Sequence, residues 1–401
     1  MRAGPSQEEI RRYNLGTLLR HVHLGGPTSR SELTSRMGLN RSTIMALTAD
    51  LAAAGLVREE LPRETGRAGR PSLVVRPESA RIYVLAFDVG VDRLVAARVG
   101  LGGVVLDRRE AVRPRGTFDL AEVVATLAGF ARQMHRKTRP DTVCVGAAAA
   151  FCGAVRESDG TVHFSPNLAG SLADVPFGQE LSRKLAMGLP VTVGNDANLG
   201  ALAEHSRGVG AGSRNLIYLH GDVGIGGGII AGGNLLGGHD GYSGEVGHMI
   251  VNPGGRLCGC GSRGCLEAEV GERALMDHAG QSGAVGRQAV RTLVDAADRG
   301  DIAARDSVHR VGDWLGIGVA NLVNIFNPEI VIFGGMLREL YLGSAAQVRS
   351  QINTSGLPVA RDGLRLRTSA LGDDVTLVGA AELAFAQMLA DPLEVLARSS
   401  N

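Results

Sequence analysis

The sequence predicts an α/β body built as an internal duplicate with a cleft between its halves, headed by a small winged helix-turn-helix. Three observations predict it. Two strand–glycine hairpins recur, one around Asp88-Val89-Gly90 and one around Asp222-Val223-Gly224. Between them a strand ends in Gly194-Asn195-Asp196-Ala197-Asn198. Ahead of both, residues 1–76 hold two short amphipathic helical patterns joined by a glycine turn.

A chain of 401 residues is long enough for two or three domains. Its 44% hydrophobic content, 57 glycines and net charge of +1 describe a loop-punctuated globular protein and exclude disorder. No uncharged stretch reaches the roughly 20 residues that span a bilayer. The start, MRAGPSQEEIRRYN, lacks an apolar signal core, so a cytoplasmic protein without membrane segments is expected. Five cysteines in a reduced compartment argue against a disulfide framework.

Charge is divided unevenly. Residues 1–76 carry 12 Lys+Arg against 7 Asp+Glu, a balance of +5, which leaves −4 for the rest. In this basic head, Tyr13–Leu24 is apolar at helical spacing and Gly25-Gly26-Pro27 ends it. Ser29-Arg30-Ser31-Glu32 has capping-box spacing and starts a helix through Arg36. Gly38-Leu39-Asn40 turns the chain into a second helix, Arg41 to about Ala54, whose Ile44, Leu47 and Leu51 face inward. Such a second helix fits the major groove of double-stranded DNA, with Asn40, Arg41, Ser42, Thr43 and Met45 as candidate contacts. Val57–Leu61 and Leu73–Arg76 form the wing. The loop between them, Arg63 to Pro71, spaces arginines with glycine. Arg67 and Arg70 suit a narrow A·T minor groove, although a solvated basic linker has the same composition. Residues 77–81 are the joint to the body.

Ile82–Val89 and Thr142–Ala150 read as buried strands, Leu94–Val99 and Val104–Glu110 as their neighbours, and Leu120–His135 as a helix. The hairpin at Leu216–Ala231 repeats the first. Asp196 follows the strand Pro190–Val193 and precedes a helix, Leu199–His205. A carboxylate there can hold a sugar hydroxyl or accept its proton, while an Asx turn capping the helix would explain the same residues.

The most specific stretch is Gly244-Glu245-Val246-Gly247-His248 with Cys258-Gly-Cys260 and Cys265-Leu-Glu267. Three thiols in eight residues and one upstream imidazole form the Cys3His set of a closed tetrahedral Zn2+ site. His248, Cys258, Cys260 and Cys265 leave no open position, so the metal is expected to be structural. Through its second ring nitrogen His248 can still reach a partner. Cys144 and Cys152 read as small core residues.

On GNDAN (194–198), GEVGH (244–248), CGCGSRGCLE (258–267), SPNL (165–168) and Gly334-Gly335, the body resembles ROK proteins, from about Ile82 to the C-terminal DDVTLVGAAELAF. That resemblance implies an actin-like ATPase (ribonuclease H-like) α/β fold shared by bacterial sugar kinases and sugar-responsive repressors. It implies a monosaccharide site at Gly153, Asn167, Asn195, Asp196, Glu245, His248 and Glu267, with Asp196 matching the kinases' base. The attached head places the chain with the repressors. It implies domains at 1–76 (head), 82–195 completed by about 376–401 (first lobe), and 196–375 (second lobe with the zinc loop).

Departures from the kinases cluster on the phosphate side. Their Asp-x-Gly-Gly-Thr is here Asp88-Val89-Gly90-Val91-Asp92, and their Gly-Thr-Gly is Asp222-Val223-Gly224. Two hydroxyls are gone and two acids have arrived. A carboxylate about 4 Å from a phosphate costs on the order of 4 kcal/mol at an effective dielectric near 20. The expectation is a repressor of carbohydrate uptake or catabolism genes, a homodimer or tetramer on operator DNA, without kinase chemistry. A bifunctional sugar kinase, or a body that binds a partner protein or phosphosugar, are the rivals.

Overall fold

The computed structural model describes residues 4, 6–62, 72–116, 118–165, 167–168, 174–283 and 285–399. The first helix, α1 (Gln7–Gly25), starts six residues before the predicted Tyr13. Its cause is local: Ser6 accepts from the Glu9 N–H and the Glu9 carboxylate accepts from the Ser6 N–H, a reciprocal box. A short strand, β1 (Thr28–Ser29), leads into α2 (Arg30–Met37). Only half of the predicted second box forms. Ser29 accepts from the Glu32 N–H at 3.2 Å, but the Glu32 side chain pairs with Arg36. Gly38, at φ 65°, adopts the left-handed cap that its lack of Cβ allows. Asn40 then caps α3 (Arg41–Ala53) by accepting from the Thr43 N–H at 2.8 Å. The wing is β2 (Val57–Glu60) and β3 (Val74–Pro77), antiparallel, with β1 on the far side of β3. The arginine–glycine loop, with Arg67 and Arg70, lies outside the described residues.

The body repeats one topology twice. In the first sheet β4 (Ile82–Val89), β5 (Arg93–Gly100) and β6 (Val104–Val112) form an antiparallel meander. After α4 (Leu120–His135), β7 (Val143–Phe151) pairs parallel to β4. A small ribbon, β8 (Ala154–Val155) and β9 (Val162–Phe164), and α5 (Phe177–Leu185) precede β10 (Val191–Asn195), which pairs parallel to β7. Next, α6 (Asp196–Arg207) crosses to the second sheet. There β11 (Leu216–Gly221), β12 (Ile225–Ala231) and β13 (Asn234–Leu235) repeat the meander. The helices α7 (Leu266–Val270), α8 (Glu272–His278), α9 (Arg287–Asp298) and α10 (Ile302–Phe326) lead to β14 (Ile330–Gly335). Following it, α11 (Met336–Gly343), α12 (Ala345–Ser355) and α13 (Pro358–Arg361) reach β15 (Arg365–Thr368). Strands β14 and β15 extend the sheet in parallel, giving the orders β10-β7-β4-β5-β6 and β13-β12-β11-β14-β15. The chain ends with α14 (Val375–Ala390) and α15 (Pro392–Ser399). Every residue of β4 is buried, as its apolar run Ile82–Phe87 requires for a strand covered on both faces, and the burial extends to Asp88 near its end.

Head and body share one apolar core. Leu15, Leu18, Leu19 and Val22 of α1 join Ile82 and Val84 of β4 and Phe385, Met388 and Leu389 of α14 in a single buried cluster. The joint at 77–81 is bonded to the head on two sides: the Glu78 N–H donates to the Leu56 carbonyl, and Arg81 donates to that of Ala54 at 2.8 Å. Among the described residues no helix is long and apolar enough to cross a membrane.

Candidate functional site

On the head, α3 turns Ile44, Leu47, Thr48 and Leu51 inward. The opposite face shows Asn40, Arg41, Ser42 and Met45 to solvent, while Thr43 is half-buried beside the cap. Met45 is 53% exposed, an apolar group left outside on a helix with a well-filled inner face. The head's surplus of positive charge is partly consumed internally. Arg11 pairs with Asp50, Arg30 with Glu59, Arg36 with Glu32, and Arg58 and Arg76 with Glu60.

In the body, all seven residues predicted for the sugar line one cavity: Gly153, Asn167, Asn195, Asp196, Glu245, His248 and Glu267. They come from strand ends and turns of both sheets, which explains why no single stretch of sequence reveals the cavity. Asn195 does two jobs. Its Oδ1 caps α6 by accepting from the Asn198 N–H at 3.0 Å, and its Nδ2 donates to the Gly153 carbonyl at 3.0 Å. The Asx cap and the cleft residue are therefore one and the same. Asp196 Oδ1 accepts from the Ala197 N–H at 2.8 Å. Glu267 accepts from the Ile225 N–H at 3.0 Å and from Asn167 at 3.5 Å, and Gly224 is the residue whose missing Cβ leaves room for both side chains.

Burial pushes the Asp196 carboxyl up to about 8; its bond from Ala197 opposes this, and Asp88, Asp222 and Glu245 add to it. Its environment favours the protonated form, in which the carboxyl can both donate to and accept from a hydroxyl; only the ionised form can act as base. The cavity also holds residues that sequence reading left out of the sugar site: His220, Ser165, Cys152 and Asp222. His220 meets the Tyr218 hydroxyl at 2.9 Å, and burial, with Arg287 and Arg93 nearby, depresses it to about 3. The signal for His220 is weak, a lone polar residue in a buried strand. A larger hollow of about 1110 Å3 lies between α4, β7 and the C-terminal helices, but none of the predicted ligands lines it.

The phosphate side differs from the simple repulsion expected of two acids. Asp92 is paired with Arg115, at 2.8 and 3.0 Å, and Arg115 reaches on to Glu272 at 3.1 Å. Asp92 thus sits in an ion pair whose arginine it shares with Glu272, so its charge is partly offset within the first hairpin. Beside it, Arg93 bonds Asp88 and the Asp373 carbonyl, and Arg287 pairs with Asp373. Asp222 lines the cavity itself. Burial first and Asp92 second raise it to about 6, so it carries negative charge into the cavity at neutral pH.

His248, Cys258, Cys260 and Cys265 come together, with their donor atoms all within 4.8 Å of one another. His248 Nδ1 lies 3.6 Å from the Cys258 sulfur, and the Cys260 and Cys265 sulfurs are 3.8 Å apart. All five cysteines are free thiols. Such a group could hold a metal ion. Cys144 and Cys152 are half-buried against the first sheet's core, and burial raises both thiols.

Comparison with known proteins follows the same division of the chain. The ROK family model matches residues 84–387. A xylose repressor of Bacillus spizizenii is 28% identical over 387 residues, 96% of this chain and 97% of that protein. A glucokinase of Streptomyces coelicolor is 32% identical but covers 75% of this chain and 96% of its own. Among solved structures, a ROK family transcriptional regulator described as a homologue of the E. coli MLC protein superposes with a TM-score of 0.78 at 28% identity. That match covers 97% of this chain and all of the other. The regulators match head and body together, the glucokinase a body-sized share, and the twice-repeated sheet is the actin-like ATPase fold of both. The chain belongs to the ROK family, in the architecture of its transcriptional regulators.

Proposed function

We propose that this protein is a sugar-responsive, DNA-binding transcriptional repressor of carbohydrate genes that has lost phosphoryl transfer. The observation that carries the reading is the joining, in one chain, of an exposed α3 face with a cavity lined by all seven expected sugar ligands. In this reading residues 1–76 bind operator DNA through Asn40, Arg41, Ser42, Thr43, Met45, Arg67 and Arg70. The two lobes, 82–195 with 376–401 and 196–375, close on a monosaccharide. The Glu245 and Glu267 carboxylates and the free nitrogen of His248 bind its hydroxyls opposite Asn195 and Asp196. Two copies are required, because one small head reads too few base pairs for useful specificity.

Zn2+ fits the Cys3His group. With Zn–S near 2.3 Å and Zn–N near 2.0 Å, a tetrahedron places sulfurs about 3.8 Å apart and sulfur and nitrogen about 3.5 Å apart. Cys260 and Cys265 are 3.8 Å apart and Cys258 and His248 3.6 Å, with all four donor atoms within 4.8 Å of one another. Bound there, the ion supplies charge and rigidity; His248 Nδ1 faces it and the ring's other nitrogen is left for the cavity.

Thermal unfolding with D-xylose, D-glucose and other monosaccharides, each with and without Mg-ATP, tests the reading. A sugar at 100 times its Kd raises stability by about 2.7 kcal/mol. One sugar is expected to shift the midpoint, and ATP to add nothing. The similarity to glucokinases and the poise of Asp196 favour residual kinase activity as the second reading. ATP-dependent sugar phosphorylation that disappears in Asp196→Ala would establish it and displace the first.

A further inference from the structure

The helix α6 has its two ends in different functional regions. At its N-terminus stand Asn195, the cap, and Asp196, the first helical residue, both lining the cavity. At its C-terminus stands Arg207, inserted under the head. Arg207 Nε donates to Glu382 of α14 at 2.5 Å, and its terminal nitrogens donate to the carbonyls of His23 and Gly102, each at 3.2 Å. His23, in the last turn of α1, is fully buried, with Nε2 at 3.2 Å from both Glu382 oxygens. The Gly102 N–H donates to His23 Nδ1 at 2.9 Å, while Nε2 faces both the Glu382 carboxylate and, at 2.6 Å, the Arg207 guanidinium. Burial depresses the imidazole, in keeping with a neutral ring.

Three elements from distant parts of the sequence are thus knotted at one buried point: the head's α1, the C-terminal α14, and the helix that begins in the cleft. A helix of 12 residues is about 18 Å long and moves as a unit, because each turn is bonded to the next. It also packs on β11 and β12 of the second sheet and on α14 against the first, so lobe closure cannot leave it unmoved. A sugar that bonds Asn195 and Asp196 acts on the cap of that helix, and any displacement arrives at Arg207.

We propose that α6 is the rod that couples the cleft to the head, and that Arg207 is the positioning residue which conveys sugar binding to α1 through His23 and Glu382. The inference rests on the sugar-responsive reading above. A buried ion pair contributes little net stability, and in this proposal its role is to specify one arrangement of the elements that meet there.

Hydrogen exchange of the full-length protein, with and without saturating D-xylose or D-glucose, tests it alongside calorimetric titration of the same sugar. In the wild type, sugar is expected to change exchange in the α1 amides around His23 by about fivefold. In Arg207→Gln the sugar Kd is expected to be retained while the α1 change disappears. Glu382→Gln, which keeps shape and removes the charge, is expected to give the same result if the first variant folds poorly. A sugar-dependent change at α1 that survives in these variants overturns the proposal, as does sugar binding in the wild type with no response in α1. If neither sugar binds the wild type, the sugar reading is what fails, and the coupling is read in reverse. Arg207→Gln must then alter exchange at Ala197 and Asn198, and unchanged exchange there overturns the rod.

Discussion

Asp222 shows most clearly how one residue shifts the chemistry of this cleft. It stands where the sugar kinases carry the first glycine of Gly-Thr-Gly, and enclosure raises its carboxyl to about 6. A raised acid binds more protons folded than unfolded, so the protein loses stability as pH climbs from about 4 to about 6 and carries the penalty above that. Asp222→Asn removes the penalty. The variant is expected to exceed the wild type by about 1–3 kcal/mol at pH 7 and to match it near pH 4. Denaturant titrations of both proteins across that range check it; curves that stay parallel would contradict the assignment. Asp196 is different, because it accepts from the Ala197 N–H at the start of α6 and, in the function proposed here, binds the sugar. Asp196→Ala is expected to abolish sugar-dependent stabilisation while leaving DNA binding without sugar intact.

Among the elements, two were legible from local pattern alone and respond to local change. The α3 cap is one: Asn40 serves both the Thr43 N–H and the Ser42 hydroxyl. Asn40→Ala is expected to lower stability by about 1 kcal/mol and to weaken operator binding more than that loss explains, since the cap also sets where Arg41 and Ser42 stand. Urea unfolding and DNA titration of the same variant separate the two effects. The cysteine loop is the other. Cys260→Ser is expected to lose stoichiometric zinc, measured by elemental analysis, and with it sugar binding, because Glu267 and His248 are held by the same turns. Zinc retained at one ion per chain would remove Cys260 from the ligand set. The helix boundaries were harder to see. The Ser6–Glu9 box lay outside the apolar periodicity that predicted α1, and Glu32 chose Arg36 over its own helix start, a competition between partners that spacing cannot rank.

The whole molecule behaves as more than a head tethered to a body. Residues of α1, β4 and α14 fill one buried cluster, so the head is expected to unfold together with the first sheet. Leu18→Ala, at a fully buried position in that cluster, is expected to cost about 2–5 kcal/mol and to lower a shared calorimetric transition. A separate, early head transition that moves alone would show the cores to be independent. Between the lobes, Arg115 links Asp92 of the first hairpin to Glu272 of α8. Asp92 was visible in the sequence as an acid in the first hairpin, but its partner Arg115, 23 residues on, and the Glu272 that shares that arginine were not.

By itself the sequence determined the head, the duplicated hairpins, the cysteine loop and the residues that gather in the cleft. Each depends on spacing within a helical turn, a strand or a short loop, or on a resemblance carried by contiguous motifs. Tertiary structure alone decided which acids are paired, that head and body share a core, and that Arg207 meets His23 and Glu382. Those contacts join residues 184 and 175 positions apart. Such pairings arise when whole elements pack and bury charge, and no local pattern of residue types encodes which partner a buried charge will find.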